Sequence, residues 1–163
     1  EEFEAFFFFF CEDAAYFDGR RLVWNEAPAI SEGFVLQDKL DERVGVLKLI
    51  PGMEPVLLQH MADFGYHAII LEGYGAGGVP TEASAKNFLP AIDYAAEKGC
   101  LIVCATQCIY NGVHLDRYEM GVLAARHGAI SGGDLPFEAL TARLMVLLAQ
   151  TRDPAEVRRI IEA

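Results

Sequence analysis

Two short stretches hold most of the residues that could do chemistry. Thr106-Gln107-Cys108 closes the apolar run Leu101 to Ala105, and Gly73-Tyr74-Gly75-Ala76-Gly77-Gly78-Val79-Pro80 follows Ala68-Ile69-Ile70-Leu71-Glu72. A hydroxyl, an amide and a thiol at a strand end can face a cleft. Cys108 would act as a nucleophile if a histidine took its proton. His114 is the nearest in sequence, and nothing in the sequence orients it. The plain alternative is that Thr106 and Gln107 bond to loop backbone. The glycine loop also has two readings. Gly73-x-Gly75-x-Gly77 resembles the start of a dinucleotide fingerprint, but its third glycine comes too early, and Pro80 with further residues separates it from the next helix. Asp93, about 20 positions on, falls within a helical pattern. The sequence therefore predicts no NAD site. It predicts a backbone excursion needing positive φ, or a loop whose backbone meets a small ligand or a second subunit.

No metal or other cofactor is expected. His60, His67, His114 and His127 are scattered over a helix stripe, a strand start, a loop and a helix end. Cys100, Cys104 and Cys108 lie four apart, but in and beside a β-like run, which is no zinc signature. Cys104 reads as a small buried apolar residue. This use of cysteine points to a reducing compartment, the cytoplasm.

The elements that must position these residues are legible from residue 44 onward. Val44 to Ile50 reads as a strand stopped by Pro51-Gly52, and Glu54 to Phe64 as a helix whose apolar stripe is Val56, Leu57, His60, Met61 and Phe64. Ala68 to Leu71 and Leu101 to Ala105 read as strands, and Ala129-Ile130 starts a fourth. Helices are expected over 84–98, 118–127 and 138–150. Asp153-Pro154-Ala155-Glu156 supplies a cap, a first-turn proline and a capping-box glutamate for a last helix. Strands alternating with helices of 10–15 residues imply right-handed βαβ units and a parallel sheet. The fold class is α/β: a small flavodoxin-like three-layer domain of about four parallel strands, preceded by a β-hairpin. Three loops leave the carboxyl ends of its strands, at Pro51-Gly52, Gly73 to Pro80, and Thr106 to Gly112.

Residues 1–33 form a different region from 34–163. Seven of the eleven Phe precede residue 18, including the run Phe6 to Phe10, which reads as a sticky strand that packs on something else. Asp18-Gly19 between apolar runs signals a hairpin. Asn25 to Gly33 reads as a linker. The whole chain, with 163 residues, 53% of them hydrophobic, can bury a core. Its net charge of −11 argues against nucleic acid and anionic membranes as partners. No run approaches the about 20 apolar residues of a membrane span, and the acidic start lacks the basic region of a signal peptide.

Leu71 to Pro80, Thr106-Gln107-Cys108 and Ile130-Ser131-Gly132-Gly133-Asp134 together resemble the asparaginases, in order and in spacing. Leu47-Lys48-Leu49-Ile50-Pro51-Gly52 resembles their strand and turn, and Phe17-Asp18-Gly19-Arg20-Arg21-Leu22 their hairpin. The likeness is to cytoplasmic type I and archaeal enzymes, and to the D subunit of Glu-tRNA(Gln) amidotransferase. It covers residues 41–163 and concerns the C-terminal domain alone. The resemblance implies hydrolysis of L-asparagine to L-aspartate and ammonia through a threonine nucleophile of an N-terminal domain. No Gly-Thr pair occurs here, so no catalytic residue is assigned and this chain alone is expected to be inactive. The resemblance gives it dimerisation and substrate or effector contacts, through Glu72, Gly73, Tyr74, Gly75, Gly77, Gly78, Thr106, Gln107 and Cys108. Expected partners are L-asparagine and a second copy or the missing catalytic domain. Many members carry Asn where Gly78 stands. The alternatives are a free-standing amino-acid-binding or dimerisation module and a fragment of the amidotransferase's D subunit, whose loop usually differs from Tyr74-Gly75-Ala76-Gly77-Gly78.

Overall fold

The computed structural model describes residues 15–17, 19, 21–24, 36–110 and 112–163. The Phe6–Phe10 run and the Asn25–Gly33 linker lie outside them. Strands β1 (Ala15–Phe17) and β2 (Leu22–Trp24) pair antiparallel, Phe17 opposite Leu22, so the Asp18-Gly19 signal does mark a hairpin. Gly19 there takes φ 90°.

The main sheet is parallel, with strands β3 (Val44–Lys48), β4 (Ala68–Gly73), β5 (Leu101–Thr106) and β6 (Ile130–Ser131) side by side in sequence order. Every residue of β4 and β5 is buried, as strands covered on both faces must be. Their register divides the side chains. Ile69 beside Ile102 and Leu71 beside Cys104 face helices α1 (Val56–Phe64), α2 (Leu89–Glu97) and α3 (Glu119–Arg126). Ala68 beside Leu101 and Ile70 beside Val103 face α4 (Phe137–Leu148) and α5 (Pro154–Ile161). Strand order never reverses, so right-handed crossovers bring all three connecting helices to one face. The two helices that follow β6 cover the other. This is the three-layer α/β architecture expected. No helix among the described residues is long and apolar enough to cross a membrane.

Two expectations need correction. The inward residues of α1 are Leu58 and Ala62, with Met61 half-buried, whereas Val56, Leu57, His60 and Phe64 are exposed. The helix is apolar most of the way round, so a stripe can be drawn on either face. Leu58 and Ala62 are the residues that join the core shared with α2, and Met61 lies with Tyr66 against Gly45 of β3. The second helix begins at Leu89, not 84, with Pro90 in its first turn. A proline has no N–H to give and is tolerated only there. The predicted cap of α5 is present: Asp153 accepts the Ala155 N–H at 3.1 Å.

The termini of the strands are pinned unequally. Before β3, Asp41 holds the ring of His67 (Nδ1 at 2.8 Å) and Arg152 (3.1 Å), while its carboxylate accepts the Arg43 N–H (3.0 Å). Burial alone would raise the pKa of Asp41, but that N–H, the His67 ring and Arg152 outweigh it and hold the group below the ordinary carboxylate value.

Candidate functional site

The glycine loop is built from backbone. Gly78 N–H donates to Tyr74 C=O at 2.8 Å and Tyr74 N–H to Gly78 C=O at 2.9 Å, so the loop folds back on itself. Gly75 (φ 51°) and Gly77 (φ 90°) make that reversal, as the expected positive-φ excursion requires. Gly73 has no room for a side chain: a Cβ there would lie 2.6 Å from the carbonyl oxygen of Gly78.

The strand-end triplet clamps this loop. The Thr106 hydroxyl donates to Gly75 C=O and accepts the Cys108 N–H at 3.0 Å. The Gln107 amide donates to Leu49 C=O (2.7 Å) and Glu72 C=O (2.9 Å), while its main-chain N–H donates to Gly73 C=O (3.2 Å). One side chain therefore ties together the ends of β3, β4 and β5. His114 N–H reaches Ala76 C=O at 3.1 Å and adds the next loop. Leu49 is buried, and a buried carbonyl without a donor is costly, so the Gln107 amide offsets what the Leu49 carbonyl would otherwise lack.

The structure thus brings Gly73, Tyr74, Gly75, Gly77, Gly78, Thr106 and Gln107 into one clasp, which the main chains of Glu72 and Cys108 join. The remaining side chains take no part in it. The Glu72 side chain lies on the α4 face of the sheet, 8% exposed, and meets Lys48 at 3.2 Å. Cys108 is an exposed free thiol. Tyr74 lines a small cavity of about 200 Å³ with Pro51, Gly52 and Phe88. Gly78 is in open contact only: a Cβ would find Met120 Cε at 3.4 Å. The exposed Ile109, Tyr110, Tyr118 and Met120 belong to the segments that surround the clasp. Ile109, Tyr110 and Met120 carried no motif in the sequence, although large apolar side chains in a polar loop were a visible signal. Sequence reasoning also passed over a cavity of about 1320 Å³ between α3, α4 and the end of α5, bordered by His114, Ser131, Asp134 and Arg143.

The clasp holds no activated nucleophile. The Thr106 hydroxyl gives its proton to a carbonyl, and no base stands against it. Ser131 donates to Val113 C=O at 3.1 Å and accepts the Gly133 N–H. Burial pushes the Cys100 and Cys104 thiols up to about 12 and keeps them protonated. Among the described residues no group of three His, Cys, Asp or Glu is placed to hold a metal ion.

Comparison with known proteins places this geometry. Residues 43–161 match the family described as the glutaminase/asparaginase C-terminal domain. The chain is 39% identical over 151 residues to an L-asparaginase of Thermococcus kodakarensis, covering 92% of this chain and 45% of that one. It is 36% identical over 134 residues to the D subunit of a glutamyl-tRNA(Gln) amidotransferase from Methanopyrus kandleri, covering 82% and 27%. Among solved structures, the T. kodakarensis L-asparaginase superposes with a TM-score of 0.83 at 37% identity, over 94% of this chain and 46% of that one. L-asparaginase I of Vibrio cholerae superposes with a TM-score of 0.73 at 28% identity, over 87% and 41%. The chain spans less than half the length of each of these relatives. Resemblance in motifs, match in sequence and likeness in fold agree: the chain belongs to the asparaginase C-terminal domain family.

Proposed function

We propose that this chain is the C-terminal domain of an asparaginase-type amidohydrolase that converts L-asparagine to L-aspartate and ammonia. It supplies a rigid loop face and a self-association surface, and the nucleophile comes from a catalytic domain that is not part of it. Alone it is inactive. The observation that carries this reading is the clasp itself. Thr106 and Gln107 spend their side chains on shaping Gly73 to Gly78, so what the strand ends present outward is a fixed backbone loop rimmed by Cys108, Tyr110 and Met120. A preformed loop of this kind can complete a pocket built elsewhere; it has no acid, base or nucleophile of its own to run acyl transfer. The free thiols of Cys100, Cys104 and Cys108 favour a cytoplasmic setting.

Ammonia release from L-asparagine by the 163-residue chain should equal the buffer blank. Turnover well above it would overturn the missing-nucleophile argument. Titration calorimetry with L-asparagine and L-aspartate tests the free-standing binding module, which requires clear heat of binding by this chain. The identity to several D subunits of the amidotransferase supports a second reading, in which the same face serves an amide donor for tRNA-linked chemistry. The loop Tyr74-Gly75-Ala76-Gly77-Gly78 favours the asparaginase over it.

A further inference from the structure

We propose that Asp41 is a latch. His67 and Arg152 form a carboxylate receptor on the α/β body, the Asp41 side chain fills it, and this residue alone fastens the strap of residues 36–41 in front of the sheet.

The strap has little else to hold it. Leu36 to Leu40 are all exposed, Leu36 at 69% and Leu40 at 58%. Among the described residues, no hydrogen bond or ion pair reaches any of them. A cleft of about 780 Å³ opens between Lys39 to Arg43 on one side and Leu148 to Arg152 on the other, so packing does not close the strap down either. The first fixed point is residue 41, whose N–H donates to Met145 C=O at 2.9 Å.

At Asp41 the pattern reverses. Its side chain is 8% exposed, although Leu40 and Glu42 beside it are open to solvent. A carboxylate drawn out of water needs donors around it. This one has the His67 Nδ1 at 2.8 Å, the Arg152 guanidinium at 3.1 Å and the Arg43 N–H at 3.0 Å. A carboxylate only accepts, so the ring nitrogen is the donor. His67 and Arg152 are held on the body independently of the strap. The His67 N–H donates to Arg43 C=O at 2.8 Å, and its C=O accepts the Leu101 N–H at 2.9 Å. Arg152 stands immediately before Asp153, the cap of α5. Both donors therefore stay in place when the carboxylate leaves, as a site for any small carboxylate; Asp41 is the occupant that the chain itself supplies. Release ends at Arg43, whose C=O also accepts the Ala68 N–H at 3.3 Å, where the β3–β4 ladder begins. The strap can thus come off while the sheet stays paired, a local opening separate from unfolding.

The test is amide exchange on the full chain, followed residue by residue by NMR. The residue-41 N–H reads the strap through a bond that does not involve the carboxylate. The Leu49 and Leu101 N–H groups, which donate to Glu72 and His67 C=O, read the sheet. In Asp41→Ala the residue-41 N–H should exchange at least about tenfold faster, one tenfold step in the opening equilibrium. Leu49 and Leu101 should keep their wild-type rates. Sodium formate should restore the slow exchange by refilling the receptor, and sodium chloride at equal ionic strength should not. Unchanged exchange at residue 41 overturns the latch. Equal acceleration at Leu49 and Leu101 overturns it too, because Asp41 would then hold the sheet and not the strap. No rescue by formate, or equal rescue by chloride, overturns the receptor. If Asp41→Ala does not fold, Arg152→Gln decides: it removes one donor and leaves the carboxylate, and should speed the Asp41 N–H alone, an unchanged rate overturning the proposal.

Discussion

The two edges of the sheet are treated in opposite ways. At β6 the strand is two residues long, and α5 reaches over to cover it. Glu162 accepts the outward N–H of Ser131 at 3.0 Å, while Arg158 donates to Gly128 C=O and Ala129 C=O at 3.1 Å each. The two side chains also bond to each other at 3.2 Å, one helical turn apart. At β3 the strand is five residues long, and its outward groups meet nothing among the described residues. A fold that caps one edge with a dedicated ion pair shows that capping is within its means. Among the described residues, the longer and more apolar edge carries no such cap.

Glycine to alanine on each edge tests this contrast, at Gly132 just after β6 and at Gly45 within β3, and the larger effect is expected at Gly132. At Gly132, after β6, a new Cβ would lie 2.6 Å from the Cys104 carbonyl oxygen and 2.8 Å from Leu140 Cδ2. The first is backbone of the central strand and cannot yield. Gly132→Ala should cost about 2–3 kcal/mol, the upper part of the range for overpacking, read as a lower urea midpoint at unchanged slope. A cost under about 0.5 kcal/mol, typical of an unconstrained surface site, would mean that the β6 side is far softer than its contacts suggest.

How the β3 side is anchored can be read through pH. Asp41 holds β3's entry to the start of β4 and to the α4–α5 connection, through His67 and Arg152. Its pKa in the folded chain lies below the ordinary value. The stabilisation is therefore complete above the unfolded carboxylate range, near about 3.9, and is lost as pH falls through the folded-state value. Asp41→Asn should lower stability at neutral pH by about 1–2 kcal/mol, since the carboxylate bonds the Arg152 guanidinium as well as the His67 ring and a main-chain N–H. The gap to wild type should shrink on acidification. A constant gap from about pH 7 to pH 3, across the carboxylate range, would show that shape, not charge, makes the anchor.

How much of this was readable in advance follows from particular residues. The strands were, because Ala68-Ile69-Ile70-Leu71 and Leu101 to Ala105 are apolar runs broken by glycine or polar residues. The α5 cap was, because Asp-Pro leaves few alternatives. For Thr106 and Gln107 the sequence offered two roles, a cleft or the backbone, and only distances decide between them. Glu72 stood in the same linear motif as Gly73, yet a strand's period of two sends its side chain to the opposite face. The orientation of α1 was not readable. A helix that is apolar most of the way round offers several stripes, and only packing shows that Leu58 and Ala62 are the residues turned inward.

The β6 cap predicts a smaller effect. Arg158→Ala would leave the carbonyls of Gly128 and Ala129 without their donor, and Gly128 is exposed enough for water to replace it in part. The cost should be about 1 kcal/mol, that of a typical hydrogen bond. More telling is solubility. With Glu162→Ala added, the Ser131 N–H is freed as well, and the concentration-dependent light scattering of the double variant should rise above wild type. No rise would mean that two residues of bare strand are too short to recruit a partner, and that strand length, not the ion pair, protects this edge.

The smallest expected effect closes the comparison. At Gly45, on the open edge strand, a Cβ would also come within 2.6 Å of another atom, but that atom is Met61 Cε, with Tyr66 ring carbons next at 3.2 Å. The end of a methionine can swing away where a carbonyl cannot. Gly45 also needs no positive φ, and replacing glycine within a strand reduces the entropy lost on folding. The two terms oppose each other, so Gly45→Ala should change stability by less than about 0.5 kcal/mol, against the loss expected at Gly132 from the same added methyl group. Losses of equal size at Gly45 and Gly132 would instead show that α1 is held as rigidly as the central strand, and the distinction between a closed edge and an adaptable one would fail.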